Sequence, residues 1–126
     1  ILLGTFLCFF TPYYETNDDF VLSCFVDGAL SEKSARMVYI NVIIGTLLRG
    51  LYTLIPSVSW YSLFQYAMLF VSFTAMIWIL LQRWKLIPAL ALSIGFISIF
   101  GLDSYIIVQY TKTTAVATVS GILLMF

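Results

Sequence analysis

Asp18 and Asp19 stand side by side in the run Tyr13-Tyr14-Glu15-Thr16-Asn17-Asp18-Asp19-Phe20, directly after an apolar stretch. At a membrane surface a carboxylate can act as a general base, taking the proton of an attacking hydroxyl, while a second orients the nucleophile or holds a divalent cation. Glu15 is a weaker candidate for the same work. Five of the six acidic residues, Glu15, Asp18, Asp19, Asp27 and Glu32, fall in this one segment, and Asp103 is the sixth. The chain has no histidine, the commonest side-chain base and metal ligand, so chemistry here rests on carboxylates. No side chains are assigned as metal ligands, and a divalent cation between carboxylates is the one inorganic cofactor the pattern admits. The bland alternative is that Asn17-Asp18-Asp19 simply starts a helix, with Asn17 as N-cap and two carboxylates facing the positive end of the helix dipole.

The surroundings of these acids are those of a membrane protein. Of 126 residues, 62% are hydrophobic and 10% charged, more apolar surface than a water-soluble domain of this size can bury. Net charge is zero, so no basic field points to nucleic acid. Cys8 and Cys24 form no CxxC pair and sit among Leu, Phe and Val, where a free thiol behaves as a small hydrophobe.

The expected fold class is all-α: a polytopic transmembrane bundle with a short interfacial amphipathic helix after the first span. Spans are expected over about 1–10, 37–55, 60–81, 86–101 and 113–126, the first and last truncated, since a crossing needs about 20 residues. Together they make residues 1–126 a single membrane domain that reads as a fragment. Pro12 marks the exit of the first span, and the interfacial helix runs over about 18–30, ended by Gly28 and the polar Ser31-Glu32-Lys33-Ser34. On that helix Asp19, Ser23 and Asp27 recur at i, i+4, i+8 and form one polar stripe, expected to face solvent. Asp18 lies over Leu22 and Phe25, on the side expected to turn toward membrane and neighbouring helices.

The spans carry their own polar stripes. Asn41, Gly45, Arg49 and Tyr52 share a face of the second; Ser62, Gln65 and Ser72 of the third; Ala91, Gly95 and Ser98 of the fourth; Thr114, Ala117 and Gly121 of the fifth. Small and polar residues so placed let helices pack closely in lipid. Arg49 is different, because a charge within a span is costly and marks function or a partner unless it snorkels to the interface.

A first span, an acidic Asp-Asp run in the next loop, an interfacial helix, then Tyr39-Ile40-Asn41 to Gly45 and Leu51-Tyr52 to Pro56 with Trp60-Tyr61 after it, resembles the start of bacterial polytopic proteins related to the C-type glycosyltransferase superfamily (GT-C). The resemblance covers nearly the whole chain on short, loose motifs. It implies a multi-pass protein of the bacterial plasma membrane whose first outside loop carries the catalytic base, here Asp18 or Asp19, with Glu15 behind them. It also implies transfer of a sugar from a polyprenyl-phosphate carrier to an acceptor hydroxyl on a glycan or lipid, by direct attack without a covalent enzyme intermediate. A phosphate leaving group wants cations. Arg36, Arg83 and Lys85 fall on the side of the acidic loop if the second and third spans both cross, and Arg49 completes the candidate substrate-binding set. That orientation puts Lys33, Arg36, Arg83 and Lys85 outside, against the positive-inside tendency, a bias that phosphate-binding cations would account for.

Two other classes compete. In a transporter or flippase subunit, Arg49, Asp103 and the polar run from Gln109 to Thr114 would line a path; no internal repeat supports it. In a non-catalytic membrane scaffold, every polar stripe is helix packing.

Overall fold

The computed structural model describes residues 13–14, 17–29, 32, 35–36 and 40–125. Among these residues the regular structure is helical, as expected: α1 Asn17–Asp27, α2 Val42–Leu54, α3 Trp60–Arg83, α4 Leu86–Ile106 and α5 Tyr110–Met125, with the two-residue extended segments β1 Tyr13–Tyr14 and β2 Ile107–Val108. The expected first span, 1–10, lies outside the described residues.

Local chemistry sets the ends of these helices. After Asp27 the chain turns at Gly28, whose φ of 88° suits a residue without Cβ; the amides of Gly28 and Ala29 both donate to the Cys24 carbonyl. Asp27 seals the turn by accepting from the Ala29 amide at 2.7 Å. At the start of α2 the Asn41 side chain accepts from the Ile43 amide at 2.9 Å, and the helix stops before Pro56, which disfavours helical backbone at Ile55. The result is 13 residues, about 20 Å of helix against a hydrocarbon core of about 30 Å. The expected span over 37–55 is therefore a shorter helix here, and residues 37–39 are not described.

Among the described residues two helices are long and apolar enough to cross a membrane: α3 with 24 residues and α4 with 21. Only 28% and 17% of their apolar windows are buried, whereas the core helix of a water-soluble protein is mostly covered. α4 does not stop at 101 as expected. It widens into a π-helical turn at Ile97–Gly101 and continues through Asp103 to Ile106. Gly101 permits the turn, since a Cβ there would sit 3.2 Å from Ile97 Cγ2. α5 has 16 residues and starts at Tyr110 rather than 113.

Residues 14–64 form one compact unit. Its core joins Leu22, Cys24 and Val26 of α1 to Leu48 and Tyr52 of α2 and to Tyr61 at the start of α3. Gly45 lets α2 approach the backbone at Ala35, where any Cβ would collide with the Ala35 carbonyl. Gln65–Phe126 belongs to the other unit. There Leu69, Phe73, Met76, Ala89 and Val108 are buried, Phe73 meets the edge of Phe96 at 5.8 Å, and Tyr66 stacks on Tyr105 at 6.0 Å.

Several polar faces differ from expectation. On α2 the buried face is Gly45, Leu48 and Tyr52, with Asn41 and Arg49 exposed. On α4 the buried small residues are Ala89 and Ser93 rather than Ala91, Gly95 and Ser98; on α5 they are Thr113 and Ser120 rather than Thr114, Ala117 and Gly121. The buried hydroxyls have partners: Ser93 donates to the Ala89 carbonyl at 2.7 Å, Ser120 to Ala117 at 2.9 Å, and Thr113 to the Gln65 amide oxygen at 3.0 Å. A hydroxyl satisfied in this way can be buried at little cost. On α3 the expected Ser62, Gln65 and Ser72 face is covered, Gln65 and Ser72 buried and Ser62 partly so.

Candidate functional site

α1 begins with both acids in its first turn, where backbone N–H groups and the helix dipole favour negative charge. Their surroundings are the reverse of the expected ones. Asp18 is exposed, and Asp19 is completely buried. The reason lies 42 residues along the chain, where the hydroxyl of Tyr61 donates to Asp19 Oδ1 at 2.8 Å. That bond turns the Asp19, Leu22, Ser23 and Val26 face inward, and Phe20 is left 57% exposed on the outside. The polar stripe is thus a seam, and an aromatic ring faces out.

Tyr61 is held in turn. It is itself fully buried, and its amide donates to the hydroxyl of Tyr52 at 3.1 Å. Beside it, Tyr14 packs its ring 6.2 Å from that of Tyr61 and shares a 2.6 Å hydrogen bond with the Ser62 hydroxyl. Ser59 and Ser62 share another at 2.9 Å. Burial pushes the Tyr14 hydroxyl above its ordinary pKa, with hydrogen bonds from Ser62, Ser59 and Ser23 pulling the other way and Tyr52 adding a further push upward. Tyr14 is therefore a neutral hydrogen-bonding group across the physiological range.

Two adjacent carboxylates thus have different capacities. Asp18 is open to solvent and can receive a proton from an incoming hydroxyl. Asp19 is closed off, its oxygen engaged by a phenol, and can hold structure. Glu15 lies outside the described residues. Among the cations, Arg36 and Arg49 are exposed in the same unit as the acids, Arg49 on the outer side of α2. Arg83, the last residue of α3, and Lys85, just before α4, are exposed and belong to the other unit. Asp103 is paired with Lys112 at 2.8 Å. Among the described residues no three Cys, Asp or Glu side chains gather in a way that could hold a metal ion. Cys24 is a buried free thiol, and Cys8 is not described.

Sequence reasoning did not assign Tyr61, Tyr52, Tyr14, Ser59 or Ser62 to the site. The available signal was chemical rather than periodic: a tyrosine hydroxyl in an apolar helix needs a partner, and a buried carboxylate is the strongest one.

No family model, no curated protein and no solved structure matches the chain.

Proposed function

We propose that the chain is part of a multi-pass cell-membrane protein and acts as a GT-C-like glycosyltransferase, moving a sugar from a polyprenyl-phosphate carrier to a hydroxyl of a glycan or lipid acceptor at the outer membrane face. Two apolar helices left mostly uncovered by the chain support the membrane setting. The observation that carries the catalytic reading is the division of labour in the first turn of α1, where Asp18 is exposed while Asp19 is buried against Tyr61.

In this reading α1 lies at the membrane interface and Asp18 is the general base. The acceptor oxygen attacks the anomeric carbon and forms the new glycosidic bond. Its proton passes to Asp18, and the bond from the anomeric carbon to the phosphate oxygen breaks, so the polyprenyl phosphate leaves with the electron pair. Arg36, in the same unit as Asp18, is the cation assigned to the departing phosphate.

The test uses the full-length protein in lipid nanodiscs with a polyprenyl-phosphate-linked hexose, following release of polyprenyl phosphate. Asp18→Asn is expected to lower turnover by about 100-fold or more with donor binding retained; turnover at the wild-type rate would remove the base. Sidedness gives an independent check. Cysteines placed at Ser31 and Gln82 are expected to react with an impermeant thiol reagent from outside the cell, and reaction from the cytoplasm alone would overturn the reading.

A further inference from the structure

We propose that Tyr61, acting through Asp19, is the positioning residue of Asp18, an inference that rests on the reading of Asp18 as the base. α1 has 11 residues, below the roughly 12–15 at which an isolated helix becomes even marginal in water. Its first turn is where such a helix frays, and Asp18 projects from that turn. A base must meet the hydroxyl it deprotonates at hydrogen-bonding distance, and a displacement of about 1 Å costs on the order of 100-fold in rate. Something outside the helix has to hold its start.

The structure supplies a linkage of three side chains. Tyr52, on the buried face of α2, accepts from the Tyr61 amide at 3.1 Å, and Tyr61 donates its hydroxyl to Asp19 Oδ1 at 2.8 Å. Tyr61 and Asp19 are both 0% exposed and Tyr52 is 3% exposed, so this linkage is dry and its hydrogen bonds are stronger than they would be in water. Asp19 shares a peptide plane with Asp18. Fixing the Asp19 side chain therefore fixes the backbone from which the exposed carboxylate projects, while leaving that carboxylate free to meet solvent. Tyr61 touches no reacting atom. It orients the base as a second carboxylate or carbonyl orients a catalytic imidazole, through a buried hydrogen bond to the unit that carries it.

The experiment compares Tyr61→Phe, Asp19→Ala, Asp19→Asn and Asp18→Asn in the full-length protein in nanodiscs, with turnover of the polyprenyl-phosphate hexose expressed per donor-binding site, so that loss of folded protein does not register. Tyr61→Phe and Asp19→Ala are each expected to lower kcat about 10- to 100-fold with KM for the donor nearly unmoved. Their combination should cost no more than either alone, because both cut one linkage. Asp19→Asn keeps an oxygen acceptor for Tyr61 and should recover most of the loss. Wild-type kcat in both Tyr61→Phe and Asp19→Ala, with Asp18→Asn inactive, would overturn the positioning role and leave the base in place. A nitroxide at position 18, attached to Asp18→Cys with Cys8 and Cys24 replaced by Ser, reads the linkage without turnover. The label is expected to be restrained in the parent and mobile with Tyr61→Phe; an unchanged line shape would overturn the proposal whatever the fate of the transferase reading.

Discussion

The hydroxyl of Thr113 on α5 lies 3.0 Å from the amide oxygen of Gln65 on α3, both side chains buried and 48 residues apart in the chain. The same hydroxyl is also 3.1 Å from the Gln109 carbonyl, so it has two acceptors to serve. Thr113→Val removes the hydroxyl from both Gln65 and the Gln109 carbonyl and should cost about 1 kcal/mol. Reversible unfolding in mixed detergent micelles measures it, and an unchanged stability would show that the bond contributes nothing net.

Two glycines should respond to alanine with opposite signs. At Gly45 a Cβ runs into the Ala35 carbonyl, backbone that cannot step aside cheaply, so Gly45→Ala should destabilise by about 1–3 kcal/mol. At Gly95 nothing lies within 4 Å of the added carbon, so Gly95→Ala should be neutral or stabilising by up to about 1 kcal/mol. Thermal unfolding of the two variants in one detergent decides the matter.

Alkaline pH should weaken the protein through Tyr14. Its folded pKa is raised above 10.0, chiefly by burial, so the folded state holds the proton more tightly than the unfolded state does. The contribution is fully present below pH 10.0 and is lost as pH rises through the higher folded value. Ultraviolet titration of the tyrosinate band should lose one of its late-titrating groups in Tyr14→Phe, and that variant should have the flatter stability profile above pH 10.0.

The ion pair between Lys112 and Asp103 is only partly sheltered, with 24% and 49% of the two side chains exposed. Lys112→Met should cost no more than about 1 kcal/mol, and the difference from wild type should shrink as salt is added. A larger, salt-insensitive effect would mean that Asp103 needs a cation to remain within the apolar α4.

Much of the helical plan was legible from residue types. The start of α1 at the Asn17-Asp18-Asp19 run, Gly28 closing it and Pro56 ending α2 follow from local signals that need no knowledge of distant neighbours. The orientation of each face was not legible. Periodicity places Asp19 and Ser23 on one side of α1, but which side is covered depends on Tyr61, a contact with no sequence period. The same holds for Thr113 against Thr114 on α5, one residue apart, where a distant glutamine decides. The acidic pair was visible as a site candidate, whereas its tyrosine support was hidden among aromatic residues that also suit a membrane interface.

The inward-facing acid of α1 has a bearing on biogenesis. Synthesis delivers Asp19 well before its phenolic partner, which follows 42 residues later. During that interval the buried position that Asp19 takes beside Tyr61 cannot yet form. A chain ending between these two points would lack the partner that covers Asp19 and would leave the inward face of α1 open.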